Sequence, residues 1–280
     1  MIWYYQIIWQ SVELMQRLIE AACRVHMGTQ RENNEDNIYF NGTYLREETR
    51  DQPAAWESFF GNIPQIYAVC DGMGGEQLGE LASLLAVETF HRVSAGMQGL
   101  ASGNLERALE FGVTEANQLI YNEQVNRGIR NIGTTLAMLA VSETEVYVLN
   151  VGDSRAYFLR DSQLRQVSED HTTVMRSVKM GLMTMEEARV HPHRNRLTQF
   201  LGINPEEMLI EPHKEKIIPN SGDMFMLCSD GLTDVVGDAE IAEILISANR
   251  ADEAAQNLLA AALANRTPDN VTVIVIKIQN

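Results

Sequence analysis

The 280-residue sequence is short of cysteine, of basic charge, of aromatic side chains and of long apolar runs. Its three cysteines, Cys23, Cys70 and Cys228, lie far apart inside apolar stretches and form no Cys-x-x-Cys pair. That spacing excludes a disulfide framework or a zinc knuckle and points to reduced thiols in a cytoplasmic protein. Lys and Arg total 22 against 38 Asp and Glu, a formal charge of -16, which leaves no counterion-release term for gripping a phosphate backbone. No nucleic acid is expected as a partner. Aromatic residues are 7% and charged residues 21%, a globular composition rather than a disordered one, and the 45% apolar share suffices for a large core. The opening Met1-Ile-Trp-Tyr-Tyr-Gln-Ile-Ile-Trp9 is apolar, but Gln10, Glu13 and Arg17 interrupt it, and it has neither a basic n-region nor a small-residue cleavage site. It reads as neither a signal peptide nor a membrane span.

What is present is patterned. Val12, Met15 and Ile19 fall at helical spacing behind Ser11, so residues 1–20 read as an aromatic extension carrying a helix. Strand character is expected at 21–28, 37–40 and Ile66 to Cys70, with 41–64, which holds Pro53 and Pro64, as a long connection. Leu78 to Val93 and Leu105 to Val125 predict helices. Short β runs follow at Thr134 to Val141, Glu145 to Val151, Arg155 to Arg160 and Gln163 to Val167, separated by turn residues. Residues 171–202 are irregular and Met-rich, broken by Pro192. Strands return at Lys214 to Ile218, Asp223 to Cys228 and Val271 to Ile278, around helices at Ala239 to Ser247 and Ala251 to Ala264. Blocks of strands and helices without strict βαβ alternation give an α+β domain with antiparallel sheets covered by helices.

Aspartates recur at the tips of these strands, three of them beside glycine: Asp71 in Asp-Gly-Met-Gly-Gly75, Asp153 in Val-Gly-Asp-Ser-Arg155 and Asp230 in Cys-Ser-Asp-Gly-Leu232, with Asp269 in Pro-Asp-Asn-Val-Thr272. Mg²⁺ and Mn²⁺ take oxygen ligands, and strand ends converging on one sheet edge can supply carboxylates for a two-metal site. Singly, each Asp-Gly is an ordinary turn.

Six strings occur in order: Arg31-Glu-Asn-Asn-Glu-Asp36, Asp71-Gly-Met-Gly-Gly75, Gly133-Thr-Thr135, Gly152-Asp-Ser-Arg-Ala-Tyr157, Ser229-Asp-Gly-Leu-Thr-Asp234 and Asp269-Asn-Val-Thr272. Together they resemble the metal-dependent Ser/Thr protein phosphatases of the protein phosphatase 2C family, from about Ala21 to the C-terminus. Asp71-Gly-Met-Gly-Gly75 and Asn195-Arg-Leu-Thr198 look like its bacterial branch. The resemblance implies two antiparallel sheets packed as a sandwich between helices, with residues 21–280 as the catalytic domain and a flap at about 171–202.

It further implies two Mn²⁺ or Mg²⁺ ions and a water-activated hydrolysis of phosphoserine and phosphothreonine, with phosphoprotein substrates of a Hanks-type Ser/Thr kinase as partners. Asp71 would bridge the ions, the Gly72 carbonyl would serve one, and Asp230 and Asp269 would hold the other. Asp36 would act mainly through water, with Glu35 the less certain member of that pair. Asp153 with Asp230 would form a weaker third site, and Asp153 is read equally as a turn residue. Arg31 occupies the phosphate-binding position, where a guanidinium grips two oxygens at once.

Where eukaryotic members carry a histidine after Asp-Gly, this chain has Met73, which cannot donate a proton. His171 and His193 read first as locally hydrogen-bonded, and Gly133-Thr-Thr135 as structural. A pseudophosphatase, a phosphatase of anti-anti-sigma factors and a two-metal nuclease are the competing readings. The extension at residues 1–20 is the only segment expected to offer membrane contact, and a chain starting near Glu20 is expected to keep full activity.

Overall fold

Val271–Gln279 is apolar on both faces because it is covered on both. Ile274, Ile276 and Ile278 enter one buried cluster while Val271, Val273 and Val275 enter another, the period-two alternation of a strand dividing one run between two cores. Each such fully buried side chain contributes roughly 1.5–3 kcal/mol of transfer free energy.

The computed structural model describes residues 18–60, 64–74, 78–97 and 102–279. The strands are β1 (Leu18–His26), β2 (Asp36–Phe40), β3 (Thr43–Tyr44), β4 (Ala54–Phe60), β5 (Gln65–Met73), β6 (Gly133–Thr134), β7 (Leu136–Val141), β8 (Val146–Val151), β9 (Arg155–Arg160), β10 (Gln163–Gln166), β11 (His213–Ile217), β12 (Met224–Cys228) and β13 (Val271–Gln279). The helices are α1 (Gly79–Ala95), α2 (Ser102–Arg127), α3 (Thr173–Lys179), α4 (Met185–Val190), α5 (Asp230–Thr233), α6 (Asp238–Ser247) and α7 (Ala251–Ala264).

One sheet runs β10-β9-β12-β13-β1-β4 and the other β11-β8-β7-β5-β2-β3, with β6 paired to the end of β5. Every pairing is antiparallel. The sheets face each other across Ile19, Cys23, Ile38, Val69, Leu139, Phe225 and Ile276. Helices α1 and α2 cover one outer face through Ala86, Phe90, Leu109 and Ile120, and α5 to α7 cover the other through Leu232, Ile241 and Leu258. The expected α+β sandwich is the fold observed. Among the described residues no helix is long and apolar enough to cross a membrane.

Three local readings change. The helix-bearing extension expected up to residue 20 gives way to β1, which already begins at Leu18; residues 1–17 lie outside the described residues. Ile19 is wholly buried, and the buried Glu20 carboxylate accepts hydrogen bonds from the Ala251 amide (3.0 Å) and Gln279 Nε2 (2.6 Å), so tertiary contacts override the helical spacing. The connection expected over 41–64 holds β4, an edge strand whose Trp56 lies opposite Cys23 of β1. Its length and two prolines masked the alternation in Ala54–Phe60. Asp230, expected at a strand tip, instead opens the one-turn helix α5. All three cysteines are free and buried; burial pushes the Cys23 and Cys228 thiols up to about 12 and raises Cys70 as well.

Candidate active site

Antiparallel pairing places the start of one strand beside the end of its neighbour, and that geometry builds the site. Asp36 opens β2 directly opposite Asp71 near the end of β5. In the other sheet Ser229 and Asp230 follow β12 while Asp269 and Asn270 precede β13. The turn after β8 adds Asp153. Arg31, Glu35, Asp71, Gly72, Met73, Asp153, Asp230 and Asp269 line one cleft of about 300 Å³, with Thr135, Asn195 and Leu197 on its walls. A larger hollow of about 410 Å³ between α1 and α2 shares none of these residues.

Asp36 does not line the cleft; it lies behind it, 2% exposed, as a tie between the sheets. Its Oδ2 accepts hydrogen bonds from Ser229 Oγ (2.8 Å) and Thr272 Oγ1 (2.7 Å), both from the opposite sheet. Ser229 Oγ also accepts from the Thr272 amide (3.0 Å), closing the network. These two hydroxyls had no assigned role in the sequence, although Ser229 and Thr272 stand inside quoted motifs. The signal was Ser229 directly before Asp230 and Thr272 three residues after Asp269.

The Asp71 main chain is pinned by the Gly133-Thr-Thr135 segment. Its amide donates to Thr135 Oγ1 (3.0 Å) and its carbonyl accepts from Thr134 Oγ1 and the Thr135 amide (both 2.9 Å). A Cβ on Gly133 would stand 2.4 Å from Phe200, so the close approach requires glycine there. The segment is structural, as read from the sequence. Gly231 has the same cause: a Cβ there would lie 1.9 Å from the Asn270 carbonyl oxygen.

Arg31 reaches the cleft already engaged. Its Nε and Nη2 each lie 2.8 Å from the Asp269 carboxylate, and Nη1 is 3.6 Å from Glu35. The Asp269 hydrogen bond holds the guanidinium firmly charged. His171 is buried, and its Nδ1 accepts from the Gly152 amide (3.1 Å), bracing the Gly152-Asp153 turn; burial lowers its pKa and keeps it neutral. His193 is exposed on the flap.

The carboxylates are electrostatically crowded. Burial, then mutual repulsion, pushes Asp71 and Asp153 well above the ordinary carboxyl range. Burial raises Asp36 to about 7 against the pull of its two hydroxyls, and raises Asp230 to about 6. Glu35 is raised by burial too. Among the described residues no three His, Cys, Asp or Glu side chains close around a single point; the donors are strung along the cleft, with Asp71 in reach of most others. The titratable side chains on the walls offer only carboxylate oxygen apart from Arg31, and Gly72 lies among them, packed so closely on Gly79 that a Cβ there would stand 2.8 Å from the Gly72 oxygen. Hard oxygen donors of this kind, strained by their own charge, suit divalent cations such as Mn²⁺ and Mg²⁺.

Residues 49–265 match the protein phosphatase 2C family. The chain belongs to that family. Its activity is that of a metal-dependent protein serine/threonine phosphatase. It is 32% identical over 262 residues to the serine/threonine phosphatase stp of Listeria monocytogenes, covering 92% of this chain and 96% of that one. The structure of the serine/threonine phosphatase of Staphylococcus aureus superimposes with a TM-score of 0.78 at 31% identity, covering 93% of this chain and 95% of the other. The catalytic domain of the phosphatase PstP, solved with two manganese ions, gives 0.75 at 29% identity, covering 94% of this chain and all of that one. In this phosphatase 2C chain Arg31, Asp71, Gly72, Asp153, Asp230 and Asp269 meet in one cleft, and Asp36 stands behind them as their brace.

Proposed function

We infer that this cleft hydrolyses phosphoserine and phosphothreonine esters on proteins by direct attack of water, using two Mn²⁺ or Mg²⁺ ions held by Asp71, Gly72, Asp230 and Asp269. Asp153 with Asp230 offers donors for a third ion. The bound cations would supply a water nucleophile at neutral pH and neutralise charge on the phosphoryl group. The observation that carries this reading is the lining itself: one guanidinium, a row of carboxylates and no free side-chain nucleophile among the described residues. The sole lining hydroxyl, Thr135 Oγ1, is spent on the Asp71 amide and on Ser154 Oγ (2.6 Å).

The chain's own groups divide the work by position. Asp71 would be the carboxylate able to serve both ions, since it feels the charges of Asp36, Asp230, Asp153 and Asp269. Asp269 orients Arg31 through a two-point contact, leaving the half-exposed guanidinium at the cleft for phosphoryl oxygens. Met73 lines the cleft and offers no proton, so the departing serine or threonine oxygen takes its proton from another group in the cleft.

The three buried free thiols and the phosphatase activity of the relatives support a cytoplasmic enzyme opposing a bacterial Hanks-type kinase. The test is turnover of p-nitrophenyl phosphate and of an autophosphorylated kinase domain, with Mn²⁺ and with chelator. Asp71→Asn should abolish both activities in a folded protein; retention of more than about a tenth of the rate would remove Asp71 from the bridging role.

A further inference from the structure

Charge is unevenly spread in this acidic chain. The flap at 171–202 carries five Lys and Arg (Arg176, Lys179, Arg189, Arg194, Arg196) against two Glu, leaving 17 against 36 in the rest. Lys179 pairs with Glu169, and Arg194 reaches Asp234 Oδ2 at 3.1 Å. Arg176, Arg189 and Arg196 are exposed, and none has a carboxylate partner within salt-bridge distance among the described residues.

The flap adjoins the cleft. Asn195 and Leu197, on either side of Arg196, line its wall. The Thr173 amide at the start of α3 donates to the Arg196 carbonyl (2.9 Å), and Arg176 lies one helical turn further along α3. The same lobe leaves Leu182 76% and Val190 81% exposed, with Met180 and Met185 also uncovered. A basic rim that keeps apolar side chains in water is a surface built to be covered.

From this placement we propose that the flap is a docking surface for the substrate, and that it selects phosphorylated sites flanked by Asp and Glu. The inference rests on the phosphatase reading of the cleft and adds to it the class of protein segment admitted. An acidic segment is repelled by the rest of this strongly anionic chain, so the three free guanidinium groups are where its charge is accepted. Complementary charge raises association and rejects basic segments, an effect that salt screens.

The experiment uses the full chain with Mn²⁺, an aryl phosphate, and two phosphopeptides identical except for Asp and Glu or Lys and Arg beside the phosphothreonine. At low salt kcat/KM for the acidic peptide should exceed that for the basic one by about tenfold or more. Combined Arg176→Glu, Arg189→Glu and Arg196→Glu should erase or invert the ratio while aryl phosphate turnover stays unchanged. Equal rates, a basic preference in the unaltered chain, or an acidic preference that survives the charge reversal overturns the proposal. Should the triple variant lose aryl phosphate turnover through misfolding, the unaltered chain still decides: a ratio that collapses on raising salt supports the flap, and a salt-independent ratio overturns it. A chain that hydrolyses no aryl phosphate with Mn²⁺ fails at the cleft instead, a separate outcome.

Discussion

A single carboxylate, Asp36, shows how much of this site is arranged by neighbours. Two hydroxyls, from Ser229 and Thr272, donate to the same oxygen, and Asp71 lies opposite Asp36 in the β2–β5 pairing. Removing them leaves a buried carboxyl with nothing to orient it, a loss that commonly costs 10- to 100-fold in metal affinity. Combined Ser229→Ala and Thr272→Val should raise the Mn²⁺ concentration for half-maximal activity by about tenfold or more, while Thr272→Ser restores it. A metal titration of the rate checks this; an unchanged midpoint would show the hydroxyls to be packing only. Arg31 gives the complementary case. Arg31→Ala would remove the proposed phosphate contact and also free Asp269, so KM for a phosphopeptide should rise several-fold with a smaller change in the metal midpoint. An unchanged KM for peptide and aryl phosphate alike would exclude the arginine from the site.

Among elements, β1 carries the largest revision. It is an interior strand of its sheet, paired with β13 and the edge strand β4, and Ile19 and Glu20 are buried at its start. A chain beginning at Arg17 should keep full kcat/KM and its unfolding midpoint. One beginning at Ala21 loses a core isoleucine and the carboxylate that accepts from Ala251 and Gln279, a combined cost on the order of 3–5 kcal/mol. Parallel thermal melts and rates decide it, and equal stability of the two lengths would return residues 18–20 to the extension. The flap is tied at its base by Thr172–Leu197 and Thr134–Leu201 bridges and by the His171 carbonyl accepting from the Thr198 amide (2.7 Å).

Across the whole molecule, stability, pH and metal are linked through the buried acids. Carboxyls whose folded pKa is raised bind protons more tightly than in the unfolded chain, so metal-free stability falls as pH rises from the ordinary carboxyl range through the folded values near 6 for Asp230 and 7 for Asp36. His171, neutral when folded and depressed by burial, acts oppositely, but only below its unfolded pKa of about 6.5. From about pH 6.5 to 8.5 the acids dominate. The chelated protein should therefore melt at a lower temperature at the higher pH, and the rise in melting temperature on adding Mn²⁺ should be larger there, because cation and protons compete for the same oxygens. A Mn²⁺-induced shift independent of pH would separate these carboxyls from the metal site.

The sequence alone determined the α+β class, because alternating apolar residues must be buried on one face or two, and that pattern is local. It also determined which aspartates stand at strand tips, since Asp-Gly turns are local chemistry. Asp71, Asp153, Asp230 and Asp269 were legible on that basis, while Arg31 and the ligand role of Gly72 were legible only through the ordered motifs that resemble protein phosphatase 2C. Tertiary structure decided what no local rule contains: that β1 begins at Leu18, that β4 is a strand, that Asp230 opens a helix, and that Asp36 is held behind the cleft by Ser229 and Thr272. It also decided that Arg31 sits on Asp269, 238 positions away in the chain. The physical reason is common to all of these. Each depends on a hydrogen bond or a buried contact between residues from distant strands, and its free energy exists only once the two sheets have closed on each other.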